Sequence, residues 1–150
     1  MSKGDGLPFA VTHQVRDTCI CLHVQRAARA VARRFDEAMR PVGLTNGQFS
    51  LLMSLNRPAA ARMGEVAEVL AMDRTTLTAA LKPLERRGLV TIAIDESDKR
   101  SRRLALTPAG RKKLRAALPI WKREHALIDK EVGALDSNLD RMRADLRILG

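Results

Sequence analysis

The feature that most constrains this chain is a change in hydrophobic period at Gly88. Before that glycine, the segment Arg74–Arg87 carries leucines at steps of four and three, which is the spacing of one helix face. After it, apolar side chains alternate with others over residues 90–94 and 103–106, which is the pattern of two short strands. The charged stretch 95–102 joins them. The sequence therefore predicts a helix followed directly by a hairpin with a charged tip.

Helical spacing accounts for most of the remaining chain. It predicts a long first helix over Thr12–Met39, a second from Thr45 to just before Pro58, a short one over Met63–Ala71, a long one from Thr107-Pro108 through Val132, and a last one beginning near Asp136 or Ser137. The predicted fold class is mainly α with a small β-hairpin wing. Helix, helix, short break, helix and hairpin is the order of a winged helix-turn-helix.

Two helix starts carry clear capping signals. Thr45 is followed three residues later by Gln48, which is the spacing of a capping box, and Leu44 and Phe49 stand where a hydrophobic staple would place them. Asp73 is the predicted N-cap of the helix that precedes Gly88. These signals mark where the two helices begin.

The charge of the chain points to a polyanionic partner. The formal net charge is +10 and the isoelectric point is near 10.8, which favours double-stranded DNA if the cations lie on one surface. The helix before Gly88 satisfies this condition, because its leucines leave small polar and basic residues on the opposite face. The predicted major-groove contacts are Arg74, Thr75, Thr76, Thr78, Ala79, Lys82 and Arg86.

The hairpin tip is the second predicted contact. Lys99, Arg100 and Arg102 lie close together there, and an arginine on a protruding tip can enter the minor groove, where the negative potential is enhanced. A solvated charge run is the usual interpretation of such a cluster. The helix directly before the hairpin favours the functional interpretation.

Three stretches resemble the MarR family of bacterial transcription regulators over essentially the whole chain. They are residues 43–49 (GLTNGQF), 72–90 (MDRTTLTAALKPLERRGLV) and 95–110 (DESDKRSRRLALTPAG). The third is the most specific, because an acidic residue and an arginine at a wing tip precede Leu-x-Leu-Thr-x-x-Gly.

The resemblance implies a triangular homodimer that reads a pseudo-palindromic operator. Residues of about 10–44 and 108–150 would form the dimerisation helices, and about 45–107 the winged lobe. By position, Arg100 resembles the minor-groove arginine, and Asp98 resembles the acid that orders the wing through a neighbouring arginine. Pro83 departs from the pattern, because a proline inside the recognition helix removes one backbone hydrogen bond and favours a kink.

A long apolar seam independently favours dimerisation. Its members recur at steps of four and three from Leu114 to Val132, and a lone chain of 150 residues has little else to cover both this seam and the terminal helix.

Two cysteines raise a redox hypothesis. Cys19 and Cys21 lie two apart in the predicted first helix, so they would point about 200° apart and not bridge each other readily. Cys21 lies on the apolar stripe, at the position where the organic-hydroperoxide branch of the resembled family keeps its reactive cysteine. That branch polarises its cysteine with tyrosines, and this chain has none. A buried structural cysteine is therefore the favoured interpretation of Cys21.

A small-molecule effector is the other mode that the resemblance implies. Such a ligand, often aromatic or anionic, would bind between the dimerisation helices and the DNA-binding lobe. Helix position makes His23, Arg26, Phe49 and Trp121 the candidate lining residues. Each also has an ordinary structural interpretation: surface or interface groups for the first two, the staple for Phe49, and seam packing for Trp121.

No motif of catalysis or cofactor binding stands out, so neither an enzyme nor a cofactor is predicted. The three histidines have no metal-ligand spacing, and no apolar run approaches the roughly 20 residues of a membrane span. A cytoplasmic protein is expected.

Three functions remain open at this point. The leading one is a sequence-specific repressor released from DNA by a ligand. A thiol-based organic-peroxide sensor that uses Cys21 is a rival within the same fold, and an architectural protein that coats any duplex is a rival from another class.

Overall fold

The computed structural model describes residues 6–150, which are mostly helical and include one small sheet. The chain divides into two units, one ending at Arg34 and one comprising Phe35–Gly150. The first unit contains α1 (Phe9–Thr18) and the greater part of α2 (Ile20–Met39). The second contains the end of α2, a 3-10 turn at Arg40–Val42, α3 (Asn46–Ser54), β1 (Ala61–Arg62), α4 (Met63–Val69), α5 (Arg74–Arg86), β2 (Val90–Ile94), β3 (Arg102–Leu106), α6 (Pro108–Gly133) and α7 (Leu139–Arg147).

The predicted uninterrupted helix over Thr12–Met39 is wrong. Cys19 interrupts it with an extended backbone, at φ −71° and ψ 107°. Immediately before it, the Thr18 hydroxyl donates to the carbonyl of Gln14 at 2.7 Å. A threonine that bonds back to the preceding turn slightly destabilises a helix, and this bond lies directly before the break.

The predicted hairpin is confirmed, and a third strand joins it. The sheet is antiparallel in the order β1-β3-β2, with Val90 opposite Leu106 and Ile92 opposite Leu104. Strand β1 has only two residues, and its Ala61 pairs with Leu104. Two residues carry no readable alternation, so the sequence did not reveal this strand.

The predicted caps are confirmed. The Thr45 hydroxyl accepts from the Gln48 amide at 3.1 Å, and the Gln48 side chain accepts from the Thr45 amide at 3.1 Å, which completes the capping box. The Asp73 carboxylate accepts from the Thr76 amide at 2.8 Å. The Thr107 hydroxyl accepts from the Gly110 amide at 3.0 Å at the start of α6. The last helix begins at Leu139, three residues after Asp136, with Asn138 as its N-cap.

The core of the second unit lies between α5, α3 and the sheet. Leu77, Leu81 and Leu84 of α5 are fully buried, as their spacing predicted. Leu44 and Phe49 are buried in the same cluster, in agreement with the predicted staple. Because all three leucines of one face are buried, the opposite face of α5 points outward.

A tight backbone crossing joins α5, the hairpin and α6. Gly88 ends α5 in the left-handed region at φ +67°, as a C-cap glycine should. The Leu89 carbonyl accepts from the Thr107 amide at 3.1 Å, and the Thr107 hydroxyl donates to the Gly88 carbonyl at 2.6 Å. Gly110 packs so closely that a Cβ atom there would lie 2.1 Å from the Leu89 oxygen.

Replacing Gly110 by alanine is therefore expected to destabilise the fold. The clash is with backbone, so either α6 or the start of β2 must move, at a cost of about 1–3 kcal/mol or more in the free energy of unfolding. The matched control is Gly133→Ala, where no atom lies within 4 Å of the added carbon. Chemical denaturation followed by circular dichroism measures both. Equal stability of the two variants would contradict the importance of this crossing.

Candidate nucleic-acid interface

Helix α5 presents the predicted contact residues on one exposed face. All seven are exposed: Arg74, Thr75, Thr76, Thr78, Ala79, Lys82 and Arg86. The helix continues through Pro83 to Arg86 without a break. The exposed face therefore extends along the whole helix, beyond Lys82 as well as before it.

The threonine hydroxyls on this face are not equivalent. The Thr76 hydroxyl donates to the Asp73 carboxylate and the Thr78 hydroxyl to the Arg74 carbonyl, each at 2.7 Å. The Thr75 hydroxyl has no hydrogen-bond partner among the residues that the structure describes. Thr75 thus offers a free donor, whereas Thr76 and Thr78 offer methyl groups and acceptor lone pairs.

The wing tip is held by its own backbone and side chains. The Asp98 carboxylate accepts from the Arg100 amide at 3.0 Å, and the Asp98 carbonyl accepts from the Ser101 amide at 2.8 Å. The Arg102 guanidinium donates to the carbonyls of Lys99 and Ser101 at 3.2 and 3.1 Å. Asp98 therefore shapes the tip through a backbone amide. The neighbouring arginine that Asp98 contacts is Arg100, by its amide and not by its guanidinium, and no guanidinium contacts the Asp98 carboxylate within residues 6–150.

A groove separates α5 from the wing. Its volume is about 440 Å³, and its lining residues are Met63, Gly64, Arg74, Thr78, Leu81, Ile92, Asp98, Arg100, Ser101 and Arg102. Arg74 and Arg100 border it from opposite elements, and neither forms an ion pair with another residue in the described part of the chain. Two uncompensated cations across a groove attract an anion placed between or beside them.

Within the hairpin, the acid whose carboxylate contacts arginine side chains is Asp95, at the base of the wing. Only 4% of Asp95 is exposed, and its carboxylate lies 2.6 Å from Arg103 Nε and 3.9 Å from Arg62 Nε. It also accepts from the amide and hydroxyl of Ser97, at 2.9 and 2.7 Å. The bonds from Ser97, and then those from Arg103, lower the pKa of Asp95 to about 2.

Arg87 anchors the end of α5 to the turn before α3. Its guanidinium donates to the Gly43 carbonyl at 2.8 Å and to the Gln48 side chain at 3.5 Å. The Gln48 oxygen is the one that completes the capping box of α3. The C-terminal end of α5 is therefore tied to the first turn of α3 and to the turn before it.

Phe49 and Trp121 come together in an aromatic cluster. Their ring centroids are 6.3 Å apart and nearly parallel, at 25°. His125 lies 4.3 Å from the Trp121 ring and 5.4 Å from the Phe35 ring, between the two. A cavity of about 190 Å³ adjoins the cluster, and Asn46 and Ser50 supply its polar lining atoms.

A second, more apolar cavity shares part of this lining. It measures about 500 Å³ and is lined by Phe49, Ser50, Met53, Ser54, Val69, Leu118 and Trp121. On another side of Trp121, a cavity of about 520 Å³ between α6 and α7 is lined by Trp121, His125, Ala126, Asp129, Leu139, Asp140 and Arg143. The indole of Trp121 thus borders all three.

Comparison with known proteins identifies the family of this fold and interface. The model of the MarR family matches residues 44–101, which contain α3–α5 and the hairpin up to Ser101. The crystal structure of the M. tuberculosis transcriptional regulator MosR in complex with DNA is 37% identical, with a TM-score of 0.79 over 87% of this chain and 92% of that one. The chain belongs to the MarR family.

Two further relatives are named as regulators of transcription. The transcriptional repressor CouR, solved with a 23-mer DNA duplex, is 30% identical with a TM-score of 0.73 and covers 90% of this chain and 92% of that one. The transcriptional activatory protein BadR of Rhodopseudomonas palustris is 38% identical over 49% of this chain and 44% of that protein. The match therefore spans less than half of BadR. These relatives are named as regulators of transcription and not as enzymes.

The remaining predicted residues of this MarR-family chain lie in the first unit. His23 and Arg26 are exposed on α2, and His23 Nδ1 lies 2.8 Å from the Cys19 carbonyl oxygen. Cys21 is exposed and accepts from the Gln25 side chain at 3.2 Å, so the prediction of a buried cysteine is wrong. Cys19 lies in the break between helices, and the helical angle assumed between the two cysteines does not apply.

Sequence reasoning missed the contact of Asp95 with Arg62 at the base of the wing and the place of His125 in the aromatic cluster. His125 follows Trp121 by one helical turn, and this spacing was a usable signal. No such signal marks Asp95, because its partners come from β1 and β3, and β1 itself was not predicted.

Neither a metal centre nor a membrane span is found in residues 6–150. No group of three or more potential ligands among His, Cys, Asp and Glu is arranged to hold a metal ion there. No helix in that part of the chain combines the length and apolar character needed to cross a bilayer.

The stability of the protein is expected to fall below neutral pH because of His125. Burial, followed by the positive charge of Arg143, lowers the pKa of His125, while Asp129 raises it. The folded state therefore favours the neutral ring. The free energy of unfolding decreases as the pH falls from about 6.5, where an unfolded histidine protonates, towards the lowered folded value.

Urea denaturation at pH 7.5, 6.5 and 5.5 measures this slope. His125→Phe keeps the aromatic packing and is expected to flatten it, whereas the exposed His13 serves as the control when changed to glutamine. An unchanged slope in His125→Phe would assign the pH dependence to other groups.

Proposed function

We propose that this MarR-family chain is a sequence-specific double-stranded DNA-binding transcription regulator. The observation that carries the proposal is the pair of basic elements on either side of one groove, α5 with Arg74 and the wing with Arg100. An exposed helix with threonines and arginines suits the major groove, and the wing arginine suits the adjacent minor groove. MosR and CouR, each solved with DNA, support this function.

A second copy of the chain is the proposed partner. Helix α7 has no buried residue, and α6 and the C-terminal segment expose large apolar side chains: Leu127, Leu135, Met142, Leu146, Ile148 and Leu149. The first unit likewise exposes Leu7, Phe9, Val15 and Ile20. Exposed apolar surface of this kind favours association. A two-fold dimer would present two recognition helices to a pseudo-palindromic operator.

A small aromatic ligand is the proposed effector, and repression relieved by that ligand is the proposed mode. The larger of the two cavities that share Phe49, Ser50 and Trp121 supports it, because a mainly apolar wall with a few polar atoms is typical of small-molecule sites. The relatives support either direction of control, since CouR is named a repressor and BadR an activatory protein. His23 and Arg26 belong to the other unit, and their role as lining residues stays a prediction from the sequence.

A thiol-based peroxide sensor is the second candidate. Its supporting observation is the exposure of Cys21, since an accessible sulfur is a condition of oxidation. In that reaction the thiolate of Cys21 would attack the peroxide O–O bond, so that the sulfur becomes a sulfenic acid and the peroxide an alcohol.

The DNA-binding proposal is tested by fluorescence anisotropy on promoter DNA that flanks the protein's own gene. We expect a preference of about a thousandfold over scrambled duplex at matched salt. Arg100→Ala is expected to weaken operator binding by about tenfold to a hundredfold. The matched control is Arg115→Ala, which removes the same charge from an exposed site on α6.

Equal affinity for both duplexes in the wild type would favour the architectural protein. Absence of binding to either duplex would contradict the proposed function. Equal losses in Arg100→Ala and Arg115→Ala would assign the effect to net charge and not to the wing.

The effector proposal has a built-in reporter, because Trp121 is the single tryptophan of the chain. We expect an aromatic acid from a panel of benzoic and cinnamic acids to change Trp121 fluorescence and to release DNA over the same concentration range. Ser50→Phe narrows both cavities and is expected to raise the required concentration at least tenfold. Ser137→Phe, at an exposed site outside the cavities, is its control.

The same assay separates the two modes of release. Cumene hydroperoxide is the probe for the thiol mechanism, and Cys21→Ser should abolish its effect if that mechanism operates. Release by peroxide alone, lost in Cys21→Ser, would replace the ligand proposal by the thiol one.

A further inference from the structure

We propose that Asp95 is a positioning residue that sets the DNA specificity of the wing. Its carboxylate holds Arg62 and Arg103 at the wing base, and so orders the tip that carries Arg100 while withholding two cations from sequence-independent phosphate contacts. The inference rests on the proposed DNA-binding function and adds to it a residue that touches no DNA.

The first support is the unusual placement of this acid. Asp95 is the only polar or charged residue that is buried within residues 6–150. A carboxylate buried without partners would be costly, and every contact of Asp95 offsets that cost. Ser97 bonds one carboxylate oxygen through its amide and hydroxyl, and the other oxygen faces Arg103 and Arg62.

The second support is the register of the sheet. Arg62 of β1 lies directly opposite Arg103 of β3, so the two side chains share one face. Like charges in directly opposite positions repel, and this destabilises a strand pair. The Asp95 carboxylate lies near both guanidinium groups and compensates that repulsion. Arg103 also donates to the Ala60 carbonyl at 3.3 Å, which fixes the chain that enters β1.

The third support is the connection from Asp95 to the tip. The Asp95 amide donates to the Ser101 carbonyl at 3.2 Å, which closes the hairpin beyond the last residues of the strands. On the other side of this bond, Asp98 holds the Arg100 amide. The position of Arg100 thus depends on a loop whose two ends meet at Asp95.

Glu96 provides a matched comparison within the same loop. It is exposed, and its carboxylate has no hydrogen bond or ion pair with any residue of the described chain. Asp95→Asn and Glu96→Gln each remove one negative charge from the wing, but only Asp95→Asn disturbs the ion pairs with Arg62 and Arg103. A general electrostatic effect on DNA binding would therefore be the same in both.

Loss of the Asp95 carboxylate has two expected consequences with opposite signs. The tip becomes less ordered, so operator affinity falls. Arg62 and Arg103 become available to phosphates, so affinity for scrambled duplex rises, and the slope of log K against log salt steepens by about 0.9 for each new phosphate contact. A purely structural role would lower both affinities together.

The experiment is anisotropy with operator and scrambled duplex at several salt concentrations for wild type, Asp95→Asn and Glu96→Gln. We expect the operator-to-scrambled ratio to fall at least tenfold in Asp95→Asn, with a steeper salt slope on scrambled DNA, and to change less than threefold in Glu96→Gln. Asp95→Asn combined with Arg62→Gln and Arg103→Gln should lose the gain on scrambled DNA. Hydrogen exchange of the amides of residues 95–101 should accelerate in Asp95→Asn alone of the two single variants.

The other outcomes overturn the inference, and they show whether the proposed function or only the role of Asp95 has failed. If wild type shows no operator preference, the proposed function fails and the inference fails with it. If wild type shows the preference and Asp95→Asn keeps it, or if Glu96→Gln matches Asp95→Asn, only the role of Asp95 is refuted. Should Asp95→Asn not fold, Arg103→Gln is measured instead; it is expected to lower the ratio without tightening the binding of scrambled DNA, and an unchanged ratio refutes the role.

Discussion

The crossing of backbone between Gly88 and Gly110 is the constraint on which the lobe depends. One hydroxyl, that of Thr107, accepts from the Gly110 amide and donates to the Gly88 carbonyl, so it serves the start of α6 and the end of α5 together. The Leu89 carbonyl bonds the Thr107 amide and leaves no room for a side chain at Gly110. These hydrogen bonds therefore hold the end of α5, the start of the hairpin and the start of α6 in one fixed arrangement. Small errors there would be carried to the wing tip along the two strands.

Three acids of the lobe, Asp73, Asp95 and Glu65, have structural roles and do not pair with the arginines that border the groove. Asp73 caps α5, and its hydrogen bonds to Thr76 lower its pKa. Asp95 holds the base of the wing, and Glu65 accepts from the Arg62 amide at 3.0 Å. By contrast, the guanidinium groups of Arg74 and Arg100, which border the groove, form no ion pair with an acid among residues 6–150. The positive face is thus a consequence of where the acids are used, and net charge alone would not have located it.

What the sequence predicts well is local. Three predicted features depend only on residues within a few helical turns of each other, and the structure has all of them: the capping box at Thr45, the leucine face of α5 and the C-cap glycine at position 88. What it missed depends on residues far apart in the chain. Strand β1 is defined only by its pairing with β3, and the role of Asp95 only by a partner on that strand. The break at Cys19 is local, but the apolar stripe continues through it, so the sequence pattern does not reveal it.

Helix α3 connects the aromatic cluster to the recognition helix, and this limits how the two can influence each other. At its first turn, Asn46 lines the smaller cavity and donates to the Asp36 carboxylate through its amide at 2.7 Å and its side chain at 2.9 Å. Two residues later, Gln48 meets Arg87 at the end of α5. Phe49 follows directly and stacks on Trp121. A molecule that displaced Phe49 or Asn46 would therefore act on the Gln48–Arg87 contact through a single helical turn. The Gln48–Arg87 contact is thus a direct polar link between the helix that lines the smaller cavity and the end of α5.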